Sequence, residues 1–227
     1  MRFLLTNDDG IDALGLTVLQ DALSGFGELY VVAPVGAQSG CSHATTTERP
    51  LQIEKLGAQR FALHGTPADC VRVGLHDLVP TPTWILSGVN HGGNLGADVY
   101  YSGTVAAVRE GVLHGVPGLA FSHYRKRGLD FSWQRVGGFL RRILPELLSQ
   151  PVEQGTFWNV NFPHLLESEP EPDLVFCPLD PHPLPLSFAT KEEGYHYNGD
   201  YHARARIAGG DVEVCFSGKI AATKIRL

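Results

Sequence analysis

The sequence predicts an α/β fold: a mostly parallel sheet flanked by helices, with a smaller β-rich extension at the C-terminal end. Three observations carry that reading. The first 34 residues spell strand, helix, strand, a βαβ unit that implies a parallel sheet with a right-handed crossover. Further short apolar runs follow at Trp84–Leu86, Gly118–Ser122 and Thr156–Phe162, with helical patterns between them. From Glu167 to Pro185 proline is dense and the rhythm stops, which divides the chain into a core at 1–163 and an extension at 164–227.

Each element has its own grounds. Phe3, Leu4 and Leu5 form an apolar run that suits a buried strand, and it ends abruptly in Thr6-Asn7-Asp8-Asp9-Gly10. Leu16, Leu19 and Leu23 recur at helical spacing over Leu14 to Ser24. Leu29 to Ala33, bounded by Gly27 and Pro34, reads as the second buried strand. Pro34 to Thr47 is a loop of small and hydroxyl residues. Leu51–Lys55 and Arg60–Leu63 flank a turn at Gly57 and look like a hairpin. Thr66, Pro67 and Asp69 spell a helix start: an N-cap, a proline at the first helical position and an acid at the third. Ser87 to Thr104 is rich in glycine and feeds a helix over Val105 to Leu113, with Thr104 as a plain N-cap if the loop does nothing else. A helix is expected over Phe131–Ser149, disturbed at Pro145. In the extension, Val175–Cys177, Tyr195–Tyr197 and Val212–Phe216 are expected as short strands or a protruding hairpin.

Composition narrows the function classes. The 227 residues suffice for one large domain or two small ones, and a hydrophobic content of 43% is that of an ordinary globular chain. No apolar run is long enough to span a bilayer. Cys41, Cys70, Cys177 and Cys215 are scattered without a C-x-x-C pair, which argues against a zinc ribbon or disulfide framework. With no basic and apolar leader at Met1, the expected location is the cytoplasm. A net charge of −6 argues against a general nucleic-acid binder; Arg125-Lys126-Arg127 reads as a solvated loop.

The chemistry collects at strand ends. In doubly wound sheets ligands bind outside the carboxyl ends of the strands. Three polar loops leave such ends: Asn7-Asp8-Asp9, Gln38-Ser39-Gly40 and Ser87 to Thr104. Adjacent carboxylates at the end of a buried strand are costly unless a cation offsets their repulsion, although an Asx-rich turn is the plainer alternative. A glycine-rich, hydroxyl-bearing turn at a helix start can hold an anion on free N–H groups, or it can simply be a loop. Taken together, the loops supply two carboxylates, a hydroxyl, an amide oxygen and an anion cradle. Oxygen-only ligands favour Mg²⁺, Mn²⁺ or Ca²⁺ over zinc, and a metal beside a phosphate cradle points to phosphoryl chemistry.

At this point the sequence resembles the SurE survival-protein family. The matching motifs are TNDDGI (Thr6–Ile11), QSGCSH (Gln38–His43), RPL (Arg49–Leu51), GTPADCV (Gly65–Val71), SGVNHGGNLG (Ser87–Gly96) and YSGTVAAVREG (Tyr101–Gly111), in that order across residues 1–122. The resemblance implies a Rossmann-like core and a C-terminal region that reaches across a homodimer, with a tetramer as the further assembly. It implies a phosphatase acting on nucleoside 5′-monophosphates, extended in some members to 3′-nucleotides and short polyphosphate. One divalent ion per subunit, Mg²⁺ or Mn²⁺, is carried over onto Asp8, Asp9, Ser39 and Asn90. Asn94, Ser102, Gly103 and Thr104 match the residues around the phosphate, and His43 an ordering position. Asp8 and Asp9 are also the candidate catalytic pair, with water as nucleophile; no D-x-D-x-[TV] pattern is present for a covalent aspartyl-phosphate. The tail, GGDVEVCFSGKIAATKIRL, departs from the family's usual ending, although Asp211 is the candidate counterpart of an aspartate there. A non-catalytic nucleotide-binding or sensing module, or a sugar-phosphate phosphatase, are the alternatives.

Overall fold

The computed structural model describes residues 1–126, 128–130 and 132–227. Arg127 of the basic cluster and Phe131, the expected first residue of the fourth helix, lie outside the described residues. The chain runs β1 (Arg2–Thr6), α1 (Leu14–Ala22), β2 (Glu28–Pro34), β3 (Ile53–Gly57), β4 (Arg60–Leu63), α2 (Pro67–Val73), β5 (Trp84–Asn90), α3 (Gly103–Leu113), β6 (Gly118–His123), α4 (Trp133–Ser149) and β7 (Thr156–Phe162). It continues through β8 (Leu174–Phe176), β9 (Phe188–Lys191), β10 (Gly194–Tyr197), α5 (Asp211–Phe216) and β11 (Ile220–Arg226).

Among the described residues, nine strands form one sheet in the order β3-β4-β2-β1-β5-β6-β7-β11-β8. Its pairs are parallel except β3–β4 and β7–β11. The order places the topological switch between β1 and β5: after β1 the chain winds out through β2 to β4, then returns to β5 on the other side of β1. Thr6 at the end of β1 pairs with Ser87 in β5, so the loops that follow both strands leave side by side.

Both faces of the sheet are covered, which explains why β1 is apolar throughout instead of alternating. Phe3 and Leu5 point into a core built with α1 and α4, while Leu4 points the other way, toward α2 and α3. All three side chains are fully buried, and burial of each such side chain is worth about 1.5–3 kcal/mol. The α2 start follows the expected pattern: Thr66 accepts from the Asp69 N–H, Asp69 accepts from the Thr66 N–H, and Pro67 opens the helix. α4 runs on through Pro145.

The extension divides. β8 and β11 join the main sheet, and only β9 and β10 form a separate antiparallel hairpin. Val212–Phe216 is helix α5, not a strand. Five residues are too few to separate period two from period 3.6. The decision is local: the Asp211 carboxylate accepts the Val212 N–H, and Val212 and Cys215, one helical turn apart, are both buried.

Candidate active site

The site begins where β1 runs out. Asn7 closes its own turn, donating from Nδ2 to the Gly10 carbonyl at 2.8 Å and accepting the Gly10 N–H at 3.2 Å. Asp8 and Asp9 therefore leave the sheet on a braced loop. Asp8 is buried; Asp9 is partly open. The Thr104 hydroxyl, from the first turn of α3, donates to Asp8 Oδ1 at 2.5 Å. Burial pushes the Asp8 carboxyl up to about 6; the Thr104 hydrogen bond opposes this, and the neighbouring Asp9 charge adds to it. Asp9 Oδ2 accepts the His91 N–H at 3.1 Å, which ties the ends of β1 and β5 across the switch.

Close contact between α3 and Asp8 depends on Gly103. A Cβ there would lie 3.0 Å from Asp8 Cβ and 2.9 Å from the Cys41 sulfur, leaving no room for any side chain. Ser102, not Thr104, is the N-cap: its Oγ accepts the Val105 N–H at 3.1 Å. Thr104 is thereby released for Asp8. The N–H groups of Gly103 and Thr104 are first-turn donors with no intrahelical acceptor, available to an anion.

The 34–47 loop is pinned along its length, with Ser42 Oγ donating to the Tyr100 carbonyl and the Thr66 hydroxyl donating to the Ala44 carbonyl. Gln38 donates its N–H to the Asp8 carbonyl at 2.7 Å, which sets the exposed Ser39 beside the Asp8–Asp9 backbone. His43 Nε2 lies 2.8 Å from Glu110 of α3, a buried carboxylate that also meets His114. Thr46 donates through both N–H and hydroxyl to Asp69. Burial alone would raise Asp69, yet these bonds and those from Thr66 hold it below its ordinary value.

Asn90, the last residue of β5, spends its amide nitrogen on the Gly92 carbonyl at 2.9 Å, so its amide oxygen is the group with which it could meet a cation. The donor set at the switch is then two carboxylates, an exposed hydroxyl and an amide oxygen, with no cationic side chain bonded to either carboxylate among the described residues. That chemistry fits a hard divalent cation. No group of three or more His, Cys, Asp or Glu side chains among the described residues is placed to hold a metal, so an ion here would need Ser39 and Asn90 as well as the aspartates.

Asn94 has a different place from the other expected phosphate contacts. Its amide nitrogen donates to Ser122 Oγ at 2.7 Å, its N–H to Asn161 Oδ1 at 2.8 Å, and its carbonyl accepts from Asn159 and Asn161. These bonds run to β6 and β7, not to Asp8 or Asp9. Sequence reading missed this asparagine pair on β7, although the alternation N-V-N in Thr156–Phe162 puts both on one face.

The glycine-rich loop also has a support of which sequence reading singled out Asp211 and missed Arg204 and Asp98. Arg204, fully buried, pairs with Asp98 at 3.1 Å and donates to the Leu95 carbonyl; Tyr201 donates to the same Asp98 oxygen at 2.6 Å. Asp211, also fully buried, accepts the N–H groups of Gly96, Asp180 and Val212.

A family model for "Survival protein SurE" matches residues 3–179. The chain belongs to the SurE family. Among its relatives, a protein of Nostoc sp. that carries a provisional 5′-nucleotidase name is 47% identical over 227 residues, covering all of both chains. The 5′-nucleotidase SurE of Myxococcus xanthus is 44% identical over 170 residues, 74% of this chain and 64% of that one. The crystal structure of the SurE protein from Aquifex aeolicus superposes with a TM-score of 0.85 at 29% identity, covering 100% of this chain and 93% of the other. The SurE fold is thus the fold of the whole chain, including the part whose sequence departs most from the family's usual ending.

Proposed function

We propose that this chain is a divalent-metal-dependent 5′-nucleotidase that hydrolyses nucleoside monophosphates to nucleoside and phosphate. The observation that carries the reading is the switch-point juxtaposition: a buried carboxylate beside a second one, hydrogen-bonded to the first turn of α3, whose free N–H groups suit a phosphate. The names of SurE relatives supply the substrate class.

In this reading Asp8, Asp9, Ser39 and Asn90 hold one Mg²⁺ or Mn²⁺. When bound, such an ion polarises a phosphoryl oxygen and neutralises developing charge. The N–H groups of Gly103 and Thr104 and the Ser102 hydroxyl orient the other phosphate oxygens. A charge at a helix start gains about 0.3–1 kcal/mol, enough to orient and not enough to catalyse alone. Thr104 holds Asp8 through Oδ1, and either aspartate would take the proton of the attacking water. Asn94 acts one step back, keeping the loop between β5 and α3 in place. The working unit is a homodimer, with activity toward 3′-nucleotides and short polyphosphate as the extension of the same site.

A metal-by-substrate matrix tests this: 5′-AMP, 3′-AMP, ribose 5-phosphate and short polyphosphate, each with Mg²⁺, Mn²⁺, Ca²⁺ or chelator. Turnover of 5′-AMP only where a divalent ion is supplied is the expected result. Binding of 5′-AMP without phosphate release under any ion would replace the enzyme by a sensing module.

A further inference from the structure

Next to Asp9 lies a small pocket that the phosphate chemistry does not use. Its volume is about 230 Å³, and Asp9, Ala13, Leu14, Gly15, His91 and Trp133 line it. Asp9 and His91 belong to both places, since the His91 N–H donates to the Asp9 carboxylate. The Trp133 and His91 rings stand 5.9 Å apart, inclined by 34°. Gly15 lets the indole lie against the start of α1: a Cβ there would come within 3.1 Å of Trp133 Cη2 and would run into the Val89 carbonyl.

We propose that this pocket seats the nucleobase of the substrate, with Trp133 as its stacking face and the specificity-determining residue. The inference rests on the nucleotidase reading above. A nucleoside monophosphate is a charged phosphate and a flat ring joined by a sugar. With the phosphate at the start of α3, the ring must settle on a neighbouring surface, and this pocket shares a wall with the carboxylates. Away from the shared Asp9 carboxylate its lining is an indole, an imidazole and aliphatic groups, which suit a π-face better than sugar hydroxyls that need polar partners. Its volume is below the roughly 300 Å³ of the smallest drug-sized pockets, so it takes one ring system and not a second nucleotide. Stacking tolerates any base, because every base has a π-face. The seat therefore demands that a base be present and discriminates weakly between bases.

The test compares kcat/KM for AMP and for ribose 5-phosphate, which lacks the base, with the full chain in Mn²⁺, together with equilibrium binding of AMP. The unsubstituted chain should prefer AMP and accept GMP, CMP and UMP similarly. Trp133→Ala should lower the ratio of AMP to ribose 5-phosphate by about tenfold or more, the size expected for one base–aromatic stack. Trp133→Phe should keep most of the ratio, and Trp133→Leu, which fills space without stacking, should lose it. An unchanged ratio in Trp133→Ala and Trp133→Leu overturns the seat, as does equal handling of AMP and ribose 5-phosphate by the unsubstituted chain. If AMP is bound in a Trp133-dependent way and never hydrolysed, the hydrolytic reading fails while the seat stands.

Discussion

The loops that bear the chemistry and the segment that supports them differ in how far they are closed to solvent. The first set, residues 7–10, 34–47 and 102–104, combines short-range turns with bonds from loop to loop, such as Thr104 to Asp8 and His43 to Glu110. Asn7 bonds three residues ahead, and Ser102 caps its own helix. The second, residues 177–216, works across the whole sequence. Arg204 meets Asp98 and Asp211 meets Gly96, each bond spanning more than a hundred residues. The chemical loops keep Ser39, Asp9 and Asn90 open to a ligand, while the support buries Arg204, Asp180 and Asp211 almost completely. The difference teaches a division of labour: partly open oxygens gathered around the buried Asp8 do the chemistry, and buried charges fix the loop that leads into α3.

Substitutions on the two sides should therefore fail differently. The largest effect is expected at the carboxylates. Asp9→Ala should cut phosphate release about 10²–10³-fold, since charge stabilisation by a bound metal is worth several kcal/mol. Thermal unfolding of the metal-free protein should hardly change, because among the described residues the Asp9 side chain gives up one hydrogen bond, from the His91 N–H. Arg204→Leu should do the reverse. It leaves Asp98 without its cation, and breaking such a buried pair costs about 3–5 kcal/mol, read as a lower urea midpoint. Loss of activity without loss of stability in this variant would break the proposed division.

Thr104→Val sharpens the boundary between the two regions, because Thr104 belongs to the site yet is wholly buried. Losing a hydrogen bond to a charged group costs about 1.5–3 kcal/mol, and here the loss leaves the upward push of burial and of the Asp9 charge opposed by a backbone hydrogen bond and no longer by Thr104. The pH profile of kcat should move upward, which a purely structural role for Thr104 would not produce.

The smallest effect on activity concerns His123, at the end of β6 and outside both sets. Burial, reinforced by His164, holds it down to about 3 from its ordinary 6.5, so the folded chain keeps it neutral while the unfolded chain takes up a proton. Stability contributed by its neutral state is present above 6.5 and is lost as pH falls, at about 1.4 kcal/mol per unit down to about 3. His123→Gln should narrow the gap between urea midpoints at pH 7 and pH 5. An unchanged gap would show that the acid sensitivity lies elsewhere.

The same contrast explains what the sequence disclosed. Asp8, Asp9, Ser39 and Ser102 stand in short motifs at strand ends, where local chemistry and topology speak together. The helix start at Thr66-Pro67-Asp69 is likewise written in three neighbouring residues, and the structure keeps it. Arg204 and Asp98 announce nothing, because a surface arginine and a buried one are the same letter until the fold pairs them. α5 is ambiguous in sequence for a different reason: over five residues, V-E-V-C-F satisfies a strand and a helix alike, and the Asp211 carboxylate decides between them by accepting the Val212 N–H. Trp133 was passed over because its partners, Gly15 and His91, lie far away in sequence and meet it only at the switch point.

The central claim is that the strand-end oxygens and the start of α3 form one metal-dependent phosphatase site. Its most direct test is phosphate release from 5′-AMP by the purified chain, stripped with chelator and then resupplied with Mn²⁺ or Mg²⁺, with Asp8→Asn run in parallel. The account predicts no release after stripping, recovery on resupply, and no recovery in Asp8→Asn. Release that persists in chelator, or that Asp8→Asn retains in full, would contradict it.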